Sequence, residues 1–345
     1  MIKVLFCGKD KFIYHRTRVI LKGIEKTPGI SATVFPISKR DSENASTLSK
    51  LSAENDFVFV PAFRHKDVAW VKKHSNAPVV FDPLISEYLT KVIDYGQWYK
   101  APTKYLLDFR AIHAADYLIA DTQAMKDYYG GFFHFPPSKT AVVPVGYIAD
   151  DFSPLKNNND NSDFHTGFYG SFVPLQGTDV IAKAASLLRN ENIVFDIIGN
   201  GATYKSFLSS IEKMKVPNIR LLGWLPYKDL SEAISRFDVA LGIFGGSGKA
   251  ARVIPNKLFH YAAMKKCIIT LDSKAVREIF SPGENIIEIK RDAETLAETI
   301  LKLKEDTALR EKIAGAGCDL VSESFNEISI AKTLLRFLTE IKSSQ

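Results

Sequence analysis

The stretch Gly245-Gly246-Ser247-Gly248-Lys249-Ala250-Ala251-Arg252-Val253-Ile254-Pro255-Asn256-Lys257 concentrates the residue types in this chain best suited to chemistry. Glycines let backbone N–H groups approach a ligand closely, and Lys249, Arg252 and Lys257 bring three cations into one short segment. Pro255 marks a helix start, so Lys257 falls in the first turn, where a cation opposes the positive end of the helix dipole. An anion held there removes the conflict, and a diphosphate suits converging Lys and Arg side chains. The other reading of the same residues is a solvated loop whose cations meet only water. The spacing is not Gly-x4-Gly-Lys-Ser/Thr, which argues against an ATPase loop.

Two further clusters come after strand-like runs. Thr166–Tyr169 leads into Gly170-Ser171 and then Gln176-Gly177-Thr178, and Ile193–Ile198 leads into Gly199-Asn200-Gly201. A helix N-terminus after such a turn favours an anion; tight strand-to-helix turns also use glycine with no ligand present. In the first half the candidates are Gly8-Lys9-Asp10, His15-Arg16 and Asp82. Asp82 ends the apolar run Val79–Phe81, where it steers a substrate hydroxyl or serves as a turn residue before Pro83. Tyr95, Trp98 and Tyr99 read as core packing or as sugar-stacking faces. The aromatic stretch Tyr128–Pro137 reads as a packed loop or as a membrane or acceptor contact.

The elements that position these residues alternate along the whole chain. Expected strands are Ile2–Cys7, Ser31–Ile37, Phe57–Val60, Val79–Phe81, Tyr117–Ala120 and Thr140–Val143, then Thr166–Tyr169, Ile193–Ile198, Ile219–Leu222, Val239–Gly242, Cys267–Leu271 and Ile286–Ile289. Amphipathic stretches lie between many of them, including Arg18–Lys26, Lys66–His74, Thr122–Tyr129, Thr178–Arg189, Tyr204–Lys213, Lys228–Arg236 and Asn256–Met264. Near-continuous apolar strands with intervening helices imply parallel sheets covered on both faces, hence two tandem doubly wound α/β domains. Expected boundaries are 1–150 for the first domain, 151–165 for an Asn-rich linker, 166–325 for the second domain and 326–345 for a terminal helix.

With 345 residues, two domains are the natural division. Net charge is +6. Residues 1–150 carry 20 Lys and Arg against 15 Asp and Glu, a balance of +5, whereas the remainder carries 25 against 24. A basic first half suits an anionic partner such as a phospholipid-linked or acidic acceptor, or is simply a solvated surface; nucleic acid is disfavoured, with no basic helix or RNA-binding aromatic motif. No run nears the roughly 20 apolar residues of a membrane span. The widely spaced Cys7, Cys267 and Cys318 form no disulfide or metal pattern, which points to a reducing cytoplasm, with peripheral contact at an anionic inner membrane face compatible with the charge.

The second half resembles the donor domain of GT-B-fold glycosyltransferases, in particular the retaining family four. The resemblance runs through Phe168-Tyr169-Gly170-Ser171-Phe172-Val173-Pro174-Leu175-Gln176-Gly177, Phe195-Asp196-Ile197-Ile198-Gly199-Asn200-Gly201, Ile219–Pro226, Phe237–Leu241 and Ile254–Met264. Ala115–Thr122 and Val143–Pro154 resemble the last strands of an acceptor domain and the entry to the linker, and Glu327–Ile341 a helix that crosses back to the first domain; the likeness is weak over residues 8–110. It implies two Rossmann-like domains facing across a cleft and transfer of a sugar from a UDP- or GDP-linked donor to a glycan or lipid-linked acceptor, with retention.

Carried over by position, the resemblance implies that Gly170 and Ser171 offer backbone N–H groups to the donor phosphates, that Leu225 beside Trp224 holds the base, and that the Ile254–Met264 helix, with Lys257 and His260, lies under ribose and diphosphate; Gly199 and Asn200 of the second glycine cluster are further candidate donor-binding residues. Lys249, Arg252 and Asp82 are the candidate catalytic groups. The family's Glu-x7-Glu pair is absent, with Arg252 and His260 in its places, and its Arg and Lys of the first phosphate loop are replaced by Ser171 and Gln176. A neutral His260 can still hydrogen-bond a ribose hydroxyl. No Asp-x-Asp motif occurs, so neither metal nor cofactor is expected. A nucleotide-sugar-binding protein without turnover and a nucleotide-sugar epimerase are the alternatives.

Overall fold

The structure, a computed structural model, describes residues 1–9, 12, 14–156 and 163–344; Asp10 and the Asn-rich centre of the expected linker, 157–162, lie outside them. The chain forms two compact units, Met1–Ile148 with Ser324–Gln345, and Ala149–Glu323.

The first unit is built on β1 (Ile2–Gly8), β2 (Ile30–Pro36), β3 (Phe57–Val60), β4 (Val79–Phe81), β5 (Tyr117–Ala120) and β6 (Thr140–Val142). They form one parallel sheet in the order β2-β1-β3-β4-β5-β6. All four residues of β3 are buried, as helices on both faces of a parallel sheet require. The helix Glu327–Ser343 belongs to this unit. Asn326 caps it by accepting from the Ser329 N–H, and Ile330, Leu334, Leu338 and Ile341 form a buried stripe against Val19, Ile20 and Ile24 of the helix His15–Glu25. Each such side chain is worth about 1.5–3 kcal/mol of burial. Gly23 permits the contact: a Cβ there would lie 1.9 Å from the Glu327 carbonyl oxygen.

The second unit carries β7 (Phe164–Tyr169), β8 (Ile193–Ile198), β9 (Ile219–Gly223), β10 (Val239–Leu241), β11 (Cys267–Leu271) and β12 (Ile287–Ile289). Its parallel sheet has the order β12-β11-β10-β7-β8-β9. Every strand expected from sequence forms, with ends displaced by at most two residues. In each sheet the winding direction reverses once, between β1 and β3 in the first unit and between β7 and β10 in the second. Sheets of this kind bind ligands outside the carboxyl ends of their strands at that reversal.

Candidate functional site

In the second unit the reversal point is marked by the loop after β7 and the loop after β10, and Lys257 links them. Its Nζ donates to Gln176 Oε1 at 2.5 Å and points at the Gly242 carbonyl at 3.4 Å. The ammonium sits 3.8 Å from the Phe168 ring centroid, a cation–π contact. The side chain is 2% exposed, and among the described residues it meets no carboxylate. Burial holds its pKa well below the ordinary lysine value of 10.5. Gly170 leaves room for the Lys257 side chain: a Cβ there would lie 2.9 Å from Lys257 Nζ.

The glycines around it have two different reasons. Gly199, at φ 129°, would place a Cβ 2.0 Å from the Gly170 carbonyl oxygen, and Gly201, at φ 154°, would meet the Phe172 backbone. These glycines let the β7 and β8 loops touch, which is a structural requirement. The Gly170 N–H is likewise spent on Ile198 O at 3.0 Å and the Gly199 N–H on Gly223 O at 2.7 Å. The expectation that the Gly170 amide faces a phosphate is therefore corrected, and the candidate Gly199 has its amide engaged as well. Ser171, exposed, has an N–H with no acceptor among the described residues, so it is the available donor of this loop. Asn200 folds its Oδ1 onto the Gly201 N–H at 2.7 Å, which orders the neighbouring turn. Beyond β9, Trp224 is 72% exposed, and neither backbone polar group of Leu225 has a partner among the described residues.

His260 is not where a ribose contact needs it. It is fully buried, its ring stacks on Phe152 at 3.9 Å, and Nδ1 meets the Tyr169 hydroxyl at 2.5 Å. The imidazole is a core element that packs the helix Asn256–Ala263 beneath β7. Arg252 also differs from expectation: its guanidinium donates to the Gly248 carbonyl and so closes its own loop, while Lys249 is 7% exposed. Asp82 is corrected as well. It is 1% exposed and accepts from Arg16 Nε at 2.5 Å, while Arg16 also donates to Val143 O at 2.9 Å. Burial raises the Asp82 carboxyl despite the attraction of Arg16. Together the two hold β4 to the strand end after β6, which makes Asp82 a structural anchor with no face open to an acceptor. His15, 8% exposed, is engaged with the Gly146 carbonyl at 3.2 Å.

The aromatic run after Thr122 packs as one cluster, with Tyr128 stacked on Phe132 at 5.2 Å and Tyr105 on Phe133 at 5.4 Å. Core packing fails for Trp98 and Tyr99, which are 61% and 78% exposed. Sequence reasoning misses the role of Gln176. That residue reads as a lost cation, whereas its amide oxygen holds the cation supplied by Lys257; the pairing across 81 positions leaves no local signal. Glu288 is missed too. Its nearly buried carboxylate accepts from Arg277 Nε at 2.7 Å, yet a lone Glu between two Ile in β12 reads as a strand residue facing solvent.

Residues 163–306 match the family described as glycosyl transferases group 1. A protein of Pseudomonas aeruginosa named as a probable glycosyltransferase, WbjE, is 30% identical over 112 residues, 31% of this chain and 26% of that one. An uncharacterized glycosyltransferase of Methanocaldococcus jannaschii is 26% identical over 162 residues, 46% of this chain and 43% of the other. The matched stretches thus span less than half the length of these relatives. Among solved structures, Anabaena HepE in complex with UDP and glucose superposes with a TM-score of 0.75 at 14% identity, and sucrose-phosphate synthase of Thermosynechococcus elongatus with 0.79 at 12%, each over the whole of both chains. The fold is that of the GT-B glycosyltransferases. No helix among the described residues is long and apolar enough to cross a membrane.

Proposed function

We propose that this GT-B chain is a glycosyltransferase that takes a hexosyl group from a UDP- or GDP-linked donor and passes it to a glycan or lipid-linked acceptor. The observation that carries the reading is Lys257, a buried lysine that meets no carboxylate among the described residues, at the reversal point of the second sheet and close beneath Gly170. A cation so placed is costly in the unliganded protein and is explained by an anion that arrives with the substrate. The donor diphosphate lies over Gly170, takes the Ser171 N–H, and has Lys257 beneath it. The Leu225 backbone receives the base, with Trp224 at its edge.

During transfer the bond from the anomeric carbon to the diphosphate oxygen breaks and its electron pair leaves with the diphosphate. The acceptor oxygen bonds to the same carbon and passes its proton to the departing diphosphate oxygen. Preorganised positive groups at the departing oxygens stabilise that charge. Lys257 and the Ser171 amide supply it in this reading without a metal ion, and retention of configuration rests on the family resemblance. The buried stack of His260 on Phe152 favours one competing reading, a nucleotide-sugar-binding protein without turnover, since no acid stands at that position. The test is incubation of the chain with UDP- and GDP-hexoses, with and without a panel of glycan and lipid-linked acceptors. Released nucleoside diphosphate supports transfer. Saturable donor binding with no release over hours supports the binding protein, and isomerised donor would mean epimerisation.

A further inference from the structure

The first unit has its own reversal point, between β1 and β3, and a cavity of about 790 Å³ opens there. Its wall draws on the segments after β1, β2, β3 and β4 and carries seven Lys and Arg side chains against two carboxylates. Both carboxylates are already engaged. Asp67 accepts from the Arg40 guanidinium and from the Lys9 N–H at 2.9 Å, and Glu87 accepts from Lys104 at 2.6 Å. The exposed ammonium groups of Lys39 and Lys66 have no ion pair among the described residues. Arg64 at the N-cap and Lys66 in the first turn of the helix His65–His74 stand at the positive end of that helix, the unfavourable end for a cation. Phe63 lines the same wall in a left-handed conformation, φ 66°, with its ring 36% exposed and 4.6 Å edge-on from Tyr14. A bulky residue held at positive φ is strained, and such strain collects at ligand sites.

We infer that this cavity binds a phosphate-bearing carbohydrate, with the phosphate among Lys39, Lys66 and the start of the helix His65–His74 and the sugar against Phe63. Five excess positive charges call for a multiply charged anion; a monocarboxylate neutralises one of them. Lysines are point-charge partners for phosphate, and helix amides complete the shell. An exposed aromatic ring provides the apolar face on which a sugar stacks. Under the proposed function this molecule is the acceptor, but the site stands on the first unit alone.

The experiment is titration calorimetry on the full chain with inorganic pyrophosphate, repeated in saturating UDP to occupy the second unit. Pyrophosphate binding that persists under UDP and weakens about ten-fold or more in Lys39→Glu/Lys66→Glu supports the site. That variant must bind UDP as the wild type does, whereas Lys257→Met affects UDP alone, so failure of the donor reading is seen separately. Glucose 1-phosphate should bind more tightly than inorganic phosphate, with Phe63→Ala erasing the difference. Equal pyrophosphate affinity in variant and wild type would overturn the site. So would attraction to phosphatidylglycerol vesicles without saturable pyrophosphate binding, which would make this face a diffuse basic surface for a bilayer.

Discussion

Replacing Lys257 by Met keeps the stem and removes the charge, and its contacts set the size of the effect. In the unliganded chain the change deletes a charged hydrogen bond to Gln176, worth about 1.5–3 kcal/mol, and a contact with the Phe168 ring of about 1–2 kcal/mol. It also deletes the desolvation penalty of an ammonium buried without a counter-ion, several kcal/mol in the opposite sense. The opposing terms leave stability within about 2 kcal/mol of wild type, a shift of only a few degrees in Tm. The liganded state has no such cancellation. A diphosphate over Gly170 loses one charge-assisted contact of about 1.5–3 kcal/mol, so UDP should bind about 10- to 150-fold more weakly. Calorimetric titration of UDP beside a scanning melt reads both quantities. A Tm drop of many degrees with unchanged UDP affinity would make Lys257 a structural residue with no part in donor binding.

The same lysine predicts a pH dependence. Its folded-state pKa is lowered from 10.5, so between the folded value and 10.5 the unfolded chain holds the extra proton and the penalty of the buried ammonium fades as pH rises. Wild type should therefore gain stability relative to Lys257→Met on going alkaline, while UDP affinity falls; parallel melting curves would contradict this. Gly199→Ala should destabilise by more than about 1 kcal/mol, because the backbone is at φ 129° and the Cβ meets Gly170. Gly131→Ala, in the helix Gln123–Phe133 with nothing within 4 Å, should stabilise by about 0.5–1 kcal/mol; thermal melts compare the pair. Asp82→Asn should cost about 3–5 kcal/mol in urea unfolding by stranding the Arg16 guanidinium, without altering UDP binding. Loss of UDP binding in a folded Asp82→Asn protein would restore Asp82 as a ligand contact.

Much of the fold is legible in the sequence because parallel strands buried on both faces are written as unbroken apolar runs: Phe57–Val60 and Ile193–Ile198 form as read. Helices without an apolar stripe are not so marked. Ser42–Ala53 is rich in serine and buries only Leu48 and Ser52, and it starts because the Asp41 carboxylate accepts the Asn44 N–H. The site is readable at the level of segments but not of atoms. Gly170 and Gly199 stand at the expected strand ends, yet sequence cannot tell an amide already bonded to Ile198 or Gly223 from a free one such as that of Ser171. His260 reads as polar and available because its stack on Phe152 joins residues 108 positions apart. The basic cavity of the first unit shows in the sequence only as a charge imbalance, since Lys9, Lys39, Lys66 and Lys91 become neighbours through the order of the sheet.

The most direct measurement is a crystal structure of the chain soaked with UDP. The β-phosphate is expected over Gly170, hydrogen-bonded to the Ser171 amide, with Lys257 Nζ turned from Gln176 toward it. Nucleotide bound elsewhere, or bound with Lys257 still on Gln176 and remote from any phosphate, would contradict this arrangement.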